Sequence, residues 1–283
     1  IRDAWHKRRT CSLSRVCRNP AMVAVKSEHD IEMMAAGGAF LAGIRDAVCK
    51  EIRVGVALAD LNARAQKLIA QCGGTSAFLK YQPEGARRPF PAAICTSLNE
   101  VVVHGVPTKR TVVSGDLVKI DLGLLYRGWY TDTAFTVGAG PISKEAERLI
   151  HATKAALEAG IRVCIPGKML GDVGYAIHSS VTRAGFKVIK GLTGHGIGRA
   201  LHEEPSVFNI GVPGRGIRIV PGMVFALEVM TGATTGDIVQ LPDESYATRD
   251  NSLSAHFEHT VAVIPRGNRI LTAHKGTVSG ILK

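Results

Sequence analysis

Apolar residues recur along this chain with two different periods, which divide it into helical and extended stretches. Spacings of three and four over residues 27–50 and 143–160 predict amphipathic helices. The stretches after Gly55 and Gly167 predict two more, each closed by a glycine, Gly73 and Gly185, that suits a helix C-terminus. Alternating or short continuous apolar runs predict strands over 92–96, 100–104, 116–126, 129–138, 186–190, 223–231 and 256–264. Residues 23–26 read as a further short strand, and Ser27, three residues before Asp30, as the N-cap of the first helix.

The helix pairs repeat. Gly55 with Gly167, Leu58 with Leu170, Asp60 with Asp172 and Gly73 with Gly185 match at a constant offset of 112 residues. Two helix pairs, each followed by strands, predict an α+β fold of duplicated helix–helix–strand halves, with helices packed on an antiparallel sheet. Such a duplication places a cleft between the halves, where sites commonly form.

Strand alternation sorts the charged residues. Phe225, Leu227 and Val229 share one face of a strand while Glu228 takes the other. In the same way Phe257, Val261 and Val263 oppose Glu258, and Val118, Ile120, Leu122 and Leu124 oppose Asp121. A tight turn at Arg127-Gly128 would set Asp121 opposite Ala134, with Asp132 diagonally across the same face. Four carboxylates gathered in a cleft would repel one another and resist desolvation unless positive charge lay between them, and divalent cations supply it. Gly194-His195-Gly196-Ile197-Gly198 adds an imidazole with little bulk to block access, and His202 follows seven residues later. One nitrogen among several oxygens suits Mn, Fe, Co or a catalytic Zn better than a closed structural zinc site. Taken singly, each acid reads as a solvated strand residue, and His151, His178 and His259 as surface or satisfied core. Cys95 is open between a buried thiol and a pocket residue. The joint order of the acids and GHGIG carries the signal.

Composition narrows the field. Apolar residues at 46% and charged residues at 21% are globular averages, which excludes disordered and fibrous classes. No apolar run reaches the roughly 18 residues of a membrane span. Six cysteines without paired spacing predict free thiols rather than a disulfide frame. Of the net charge of +11, residues 1–21 carry +5, with Arg2, Lys7, Arg8, Arg9, Arg15 and Arg18 against Asp3, and the remaining residues carry +6. This basic leader is expected to be a transit segment or sequence upstream of a start at Met22, outside the domain of residues 22–283. The remaining excess reads as solvated basic surface. A weak attraction to ribosomal RNA stays open, with no motif for specific nucleic-acid recognition.

ICTSLNEVVVHGVP (94–107), GDLVKIDLG with YTDTAFTVG (115–138), GHGIGRALHEEP (194–205), PGMVFALEVM (221–230) and SLSAHFEHTVAV (252–263) resemble, in length and order, the motifs of methionine aminopeptidases of the bacterial type I class. The resemblance spans residues 24–274. It implies a pita-bread fold, a curved antiparallel sheet backed by helices, in a single catalytic domain. It also implies a monomeric cytoplasmic enzyme that removes the initiator methionine from nascent polypeptides. Two divalent ions (Co, Mn, Fe or Zn) would be held by Asp121, Asp132, His195, Glu228 and Glu258, with Asp132 and Glu258 bridging. Glu228 would handle the proton of the attacking water, His202 would contact the substrate carbonyl and His104 would help the leaving amine depart. Tyr81, Phe90, Cys95 and Leu201 would offer an apolar slot for the thioether, while Asn99, Val101 and Ser254 match positions that hold a monovalent cation.

Departures from the pattern concern the pocket. Val229 follows the first glutamate ligand where proline is usual, Leu201 replaces a phenylalanine before His202, and Phe90 replaces a tyrosine. The tryptophan expected before the last strand is replaced around Glu244, and the loop Tyr81–Pro89 is longer than usual. Three rival readings fit the residues less well. Peptidases of this fold that act on Xaa-Pro bonds generally carry a large N-terminal domain, whereas about 26 residues precede the first predicted helix. The eukaryotic-type aminopeptidase has a helical insertion for which the 25 residues between His202 and Glu228 leave no room. A non-catalytic, RNA-associated binder on this fold need not retain the five ligands, all of which are present.

Overall fold

The computed structural model describes residues 23–83 and 85–273, so the leader expected over 1–21 lies outside them. Helix α1 (Glu28–Glu51) begins at the predicted cap. Ser27 Oγ accepts from Asp30 N–H at 3.2 Å and Asp30 Oδ2 from Ser27 N–H at 3.0 Å, so two donors at the helix start are satisfied reciprocally. Residues 23–26, predicted as a strand, stay outside the sheet. Lys26 N–H reaches Gly222 O at 2.7 Å, and the chain turns into α1 before a ladder can form.

The first half continues with α2 (Leu58–Gln71), β1 (Thr75–Ser76), β2 (Cys95–Leu98), β3 (Val101–Val103), β4 (Leu117–Tyr126) and β5 (Trp129–Gly138). The second contains α3 (Lys144–Val163), α4 (Leu170–Arg183), β6 (Lys187–Val188), β7 (Gly194–Gly196), β8 (Glu203–Val207) and β9 (Val224–Gly232). It closes with β10 (Ile238–Gln240), β11 (Tyr246–Thr248), β12 (Ser254–Ile264) and β13 (Gly267–Ile270). The repeat read from the sequence extends to the backbone. Ala57 and Met169 occupy the N-caps of α2 and α4, and each forms an isolated antiparallel bridge, with Thr111 and Arg218. Gly55 and Gly167 precede them with φ of 90° and 88°, a left-handed conformation that glycine adopts without steric penalty.

Among the described residues the main sheet has ten strands in the path β1-β4-β5-β12-β9-β7-β8, with β2 on β4, β6 on β9 and β13 on β12. A smaller sheet runs β10-β11-β3, and every pairing in both is antiparallel. Arg127 and Gly128, with φ of 49° and 80°, make the two-residue turn between β4 and β5. The turn sets Asp121 opposite Ala134, the predicted register.

Each helix pair covers part of one sheet face. Val118, Ile120, Leu122 and Leu124 pack with Leu41 and Ile44 of α1 and Leu61 and Ile69 of α2. Phe225, Leu227, Val229, Val261 and Val263 pack with Leu149 and Leu157 of α3 and Val173 and Ile177 of α4. At roughly 1.5–3 kcal/mol for each large side chain buried, this face holds the strands in place and fixes which residues turn to the other. The strands absent from the sequence reading, such as β7, β8, β10 and β11, are too short for alternation to show.

Candidate active site

Strand pairing assembles the acids. Asp121 on β4 and Asp132 on β5 flank the tight turn, with Asp132 opposite Gly123. Glu228 on β9 faces Glu258 on β12 directly, and Glu258 also pairs with Ala134 of β5. His195 on β7 lies opposite Ala226, two residues before Glu228 and on the same face. All five residues line one cavity of about 390 Å3, together with His104, His202, Tyr81, Phe90, Cys95 and Leu201. Ligand atoms of Asp132, His195 and Glu258 lie within 4.8 Å of one another, and His195 Nε2 is 3.7 Å from Glu228 Oε1.

The electrostatics of this cluster favour protons or cations. Burial raises the Asp121 carboxyl to about 7. Burial first, and the neighbouring carboxylates second, push Asp132, Glu228 and Glu258 well above the usual range. Asp121 Oδ1 and Glu258 Oε1 are buried without a hydrogen-bond donor. His195 is held down to about 4 by burial, so its ring is neutral. Its Nδ1 lies 2.8 Å from Gly196 O, which can only accept, so Nδ1 carries the hydrogen and Nε2 offers a lone pair toward Glu228. Orphaned carboxylate oxygens beside a lone-pair nitrogen are a donor set that fits divalent Mn, Fe, Co or Zn.

The glycines around His195 serve packing rather than open access. A Cβ at Gly196 would come within 2.3 Å of Glu204 O, so only glycine lets β7 run this close to β8. His104 sits in the left-handed region at φ 61°, which a non-glycine residue rarely adopts, and burial holds its ring below the usual histidine range. His202 is pushed down to about 3 by the surrounding protein and then by His195 and His104.

The metallopeptidase family M24 model matches residues 32–265. The chain belongs to this family. Methionine aminopeptidase of Aquifex aeolicus is 40% identical over 254 residues, 88% of this chain and 98% of that protein. Methionine aminopeptidase 1 of Mycobacterium tuberculosis is 39% identical and matches over 90% of this chain and 97% of its own length. The crystal structure of methionine aminopeptidase from Rickettsia prowazekii superposes with a TM-score of 0.85 at 37% identity, covering 89% of this chain and all of that one. A prolidase from Pyrococcus horikoshii shares the fold at a TM-score of 0.70 and 20% identity, with 64% of its chain covered. The pita-bread architecture expected from the motifs is therefore the one observed.

Within this M24 scaffold, the slot beside the acids is apolar. Phe78 and Phe90 meet edge to face at 6.5 Å, and Cys95 and Leu201 belong to the same buried cluster. Burial and then Asp121 raise the Cys95 thiol well above its usual value, which keeps it neutral. The long loop after Tyr81 is closed at its base, where Lys80 N–H donates to Phe90 O and Phe90 N–H to Tyr81 O, both at 2.8 Å. Its tip reaches across the cavity mouth, with Arg87 Nε 3.2 Å from Glu244 Oε1. Glu244 thus clasps the loop, its Oε2 also accepting from Arg87 N–H at 3.2 Å. Four cysteines in the described residues, 49, 72, 95 and 164, are free thiols as expected, while Cys11 and Cys17 lie outside.

The sequence reading missed three residues. Phe78 gave no signal, since SAFLKY alternates with neither period. His256 is buried with Nε2 3.7 Å from Glu228 Oε2 and no hydrogen-bond partner, and it shares a face with Glu258 two residues on. Lys119 stands two residues before Asp121 in the same way and is fully buried. Its Nζ donates to Asn99 O at 2.8 Å and Ser254 O at 3.1 Å, while Ser254 Oγ donates to Asn99 O at 2.8 Å. Lys119 Nζ thus sits beside two of the three residues expected to hold a monovalent cation, while Val101 O accepts from Ser254 Oγ at 3.3 Å. No helix among the described residues is long and apolar enough to cross a membrane.

Proposed function

We propose that this chain is a methionine aminopeptidase that removes the initiator methionine from nascent polypeptides with two divalent ions. The observation that carries the reading is one cavity in which buried carboxylates and a histidine lone pair adjoin an apolar slot. The slot suits a single thioether side chain, and the relatives that share this chain's length are methionine aminopeptidases.

Asp121, Asp132, His195, Glu228 and Glu258 would hold the ions. When bound, such ions supply a water nucleophile at neutral pH and Lewis-acid polarisation of a carbonyl. The remaining work belongs to side chains. A Glu228 carboxylate oxygen takes the proton of the attacking water. His202 donates from its ring to the carbonyl oxygen as that oxygen becomes an oxyanion. His104 hydrogen-bonds the scissile nitrogen and eases departure of the amine. Phe78, Tyr81, Phe90, Cys95 and Leu201 seat the methionine and exclude water. Lys119 supplies the positive charge at Asn99 and Ser254 in place of a separate monovalent ion.

Residues 22–283 act as one catalytic unit, monomeric and cytoplasmic, with any attraction to the ribosome surface limited to general basic charge. The test is release of methionine from Met-Ala-Ser by metal-free protein titrated with Mn, Fe, Co and Zn, against cleavage of an Ala-Pro peptide. Methionine release restored by at least one metal is expected, and preferential cleavage before proline would overturn the reading.

A further inference from the structure

His195 and His202 are ring neighbours, with centroids 4.4 Å apart and planes at 79°. Their Nδ1 atoms meet different partners, one able only to accept and the other, a hydroxyl, able also to donate. That of His195 faces the carbonyl of Gly196, which can only accept, whereas that of His202 lies 2.6 Å from the Tyr81 hydroxyl. A neutral imidazole has one donor nitrogen and one acceptor nitrogen, and the partner at one decides the other.

We infer that Tyr81 is a positioning residue: its O–H donates to His202 Nδ1 and thereby keeps the His202 proton on Nε2. This inference rests on the role given to His202 above. A proton on Nε2 makes the ring a donor to a substrate carbonyl. The opposite tautomer would turn a lone pair toward that oxygen and repel the charge growing on it. Two adjacent histidines are thus set to opposite tasks, His195 presenting a lone pair and His202 a hydrogen.

Both ends of the contact are held. Tyr81 N–H donates to Phe78 O at 2.9 Å and its carbonyl accepts from Phe90 N–H, so the base of the long loop fixes the phenol. Next to His202, Glu203 Oε1 accepts from Arg199 N–H at 2.6 Å and Ala200 N–H at 3.1 Å, while its Oε2 pairs with Lys26 Nζ at 2.6 Å. This network ties the segment carrying His202 to the start of the domain. The residues in contact are 121 apart in sequence, so the loop must be closed for the tautomer to be set.

Tyr81→Phe removes one oxygen and keeps the ring. Its kcat on Met-Ala-Ser is expected to fall about tenfold, the loss of roughly one hydrogen bond, with KM changed less than twofold. The second readout is the pair of ring 15N shifts of His202, assigned by their disappearance in His202→Gln and recorded on metal-free protein. Wild type should show a protonated Nε2 and a bare Nδ1, and Tyr81→Phe should shift both toward a tautomer mixture. A protonated Nδ1 in wild type overturns the inference. So does a Tyr81→Phe that loses kcat with unchanged shifts, or one whose shifts change while kcat holds. Failure of the aminopeptidase reading is distinct: wild type would release no methionine, whatever the ring shifts show.

Discussion

Glu228 and Glu258 stand directly opposite each other across β9 and β12, in a sheet whose other face is filled by Phe225, Leu227, Val229, Val261 and Val263. Like charges at such a position destabilise a sheet, by roughly 0.2–1 kcal/mol on an open surface and more where water is excluded. The fold keeps this arrangement against its own stability, which marks the pair as functional.

Glu258→Gln therefore separates stability from metal binding. In metal-free protein it should raise the melting temperature by about 2–4 °C, the scale for 1 kcal/mol in a domain of this size. Added Mn or Co should then raise its melting temperature far less than that of wild type. Calorimetry with and without metal reads both, and a metal-free variant less stable than wild type would contradict the repulsion argument.

The same carboxyls set a pH dependence. Asp121 is raised to about 7 by burial, and Asp132, Glu228 and Glu258 are raised well above their usual range. Each binds its proton more tightly folded than unfolded, so its contribution is complete at low pH and is lost as pH rises through the folded value. Metal-free protein should show a lower urea midpoint at pH 9 than at pH 7, a window above the unfolded histidine value in which the buried His195, His202, His256 and His259 stay neutral, and saturating metal should remove most of the fall. A midpoint that rises over this range without metal would refute the burial of these groups.

Asp132→Asn and His104→Ala should fail differently. The first removes a carboxylate that would hold the ions, so metal content by elemental analysis and turnover should both collapse. The second should retain metal while kcat falls about 10²- to 10⁴-fold, the scale of general acid–base assistance. A His104→Ala enzyme with wild-type kcat would remove that residue from the mechanism.

Lys119→Ala tests the built-in ammonium. Burial pulls the amine down to about 7, while Glu100 and Asp116 act to hold it protonated. Removing it takes one donor from each of the carbonyls of Asn99 and Ser254, at roughly 1–3 kcal/mol, although Ser254 Oγ and N–H still reach Asn99 O. Potassium should raise the melting temperature of the variant and leave wild type unchanged. Equal potassium dependence in both proteins would show that Lys119 does not fill the role.

Much of the site was legible because it lies on strands with period two. Asp121, Glu228 and Glu258 were assigned to the face opposite the core from their apolar neighbours alone, and the Asp121–Ala134 register followed from a two-residue turn. By the same alternation His256 and Lys119 share the acids' face, but a lone histidine or lysine on a strand has no local mark of burial. The register of Glu228 against Glu258 was out of reach, since the excursion through β10 and β11 between the strands leaves it free.

The chain by itself determined the four helices and the long strands, the duplication of helix pairs and the side of each strand that carries an acid. Each of these depends on spacings within one segment. Only the tertiary structure decided which acids face each other, that the Tyr81 hydroxyl meets His202, and that Lys119 Nζ reaches the carbonyls of Asn99 and Ser254. Those contacts join segments far apart in sequence, and their geometry follows from how the sheet closes and the helices pack, which no local period encodes.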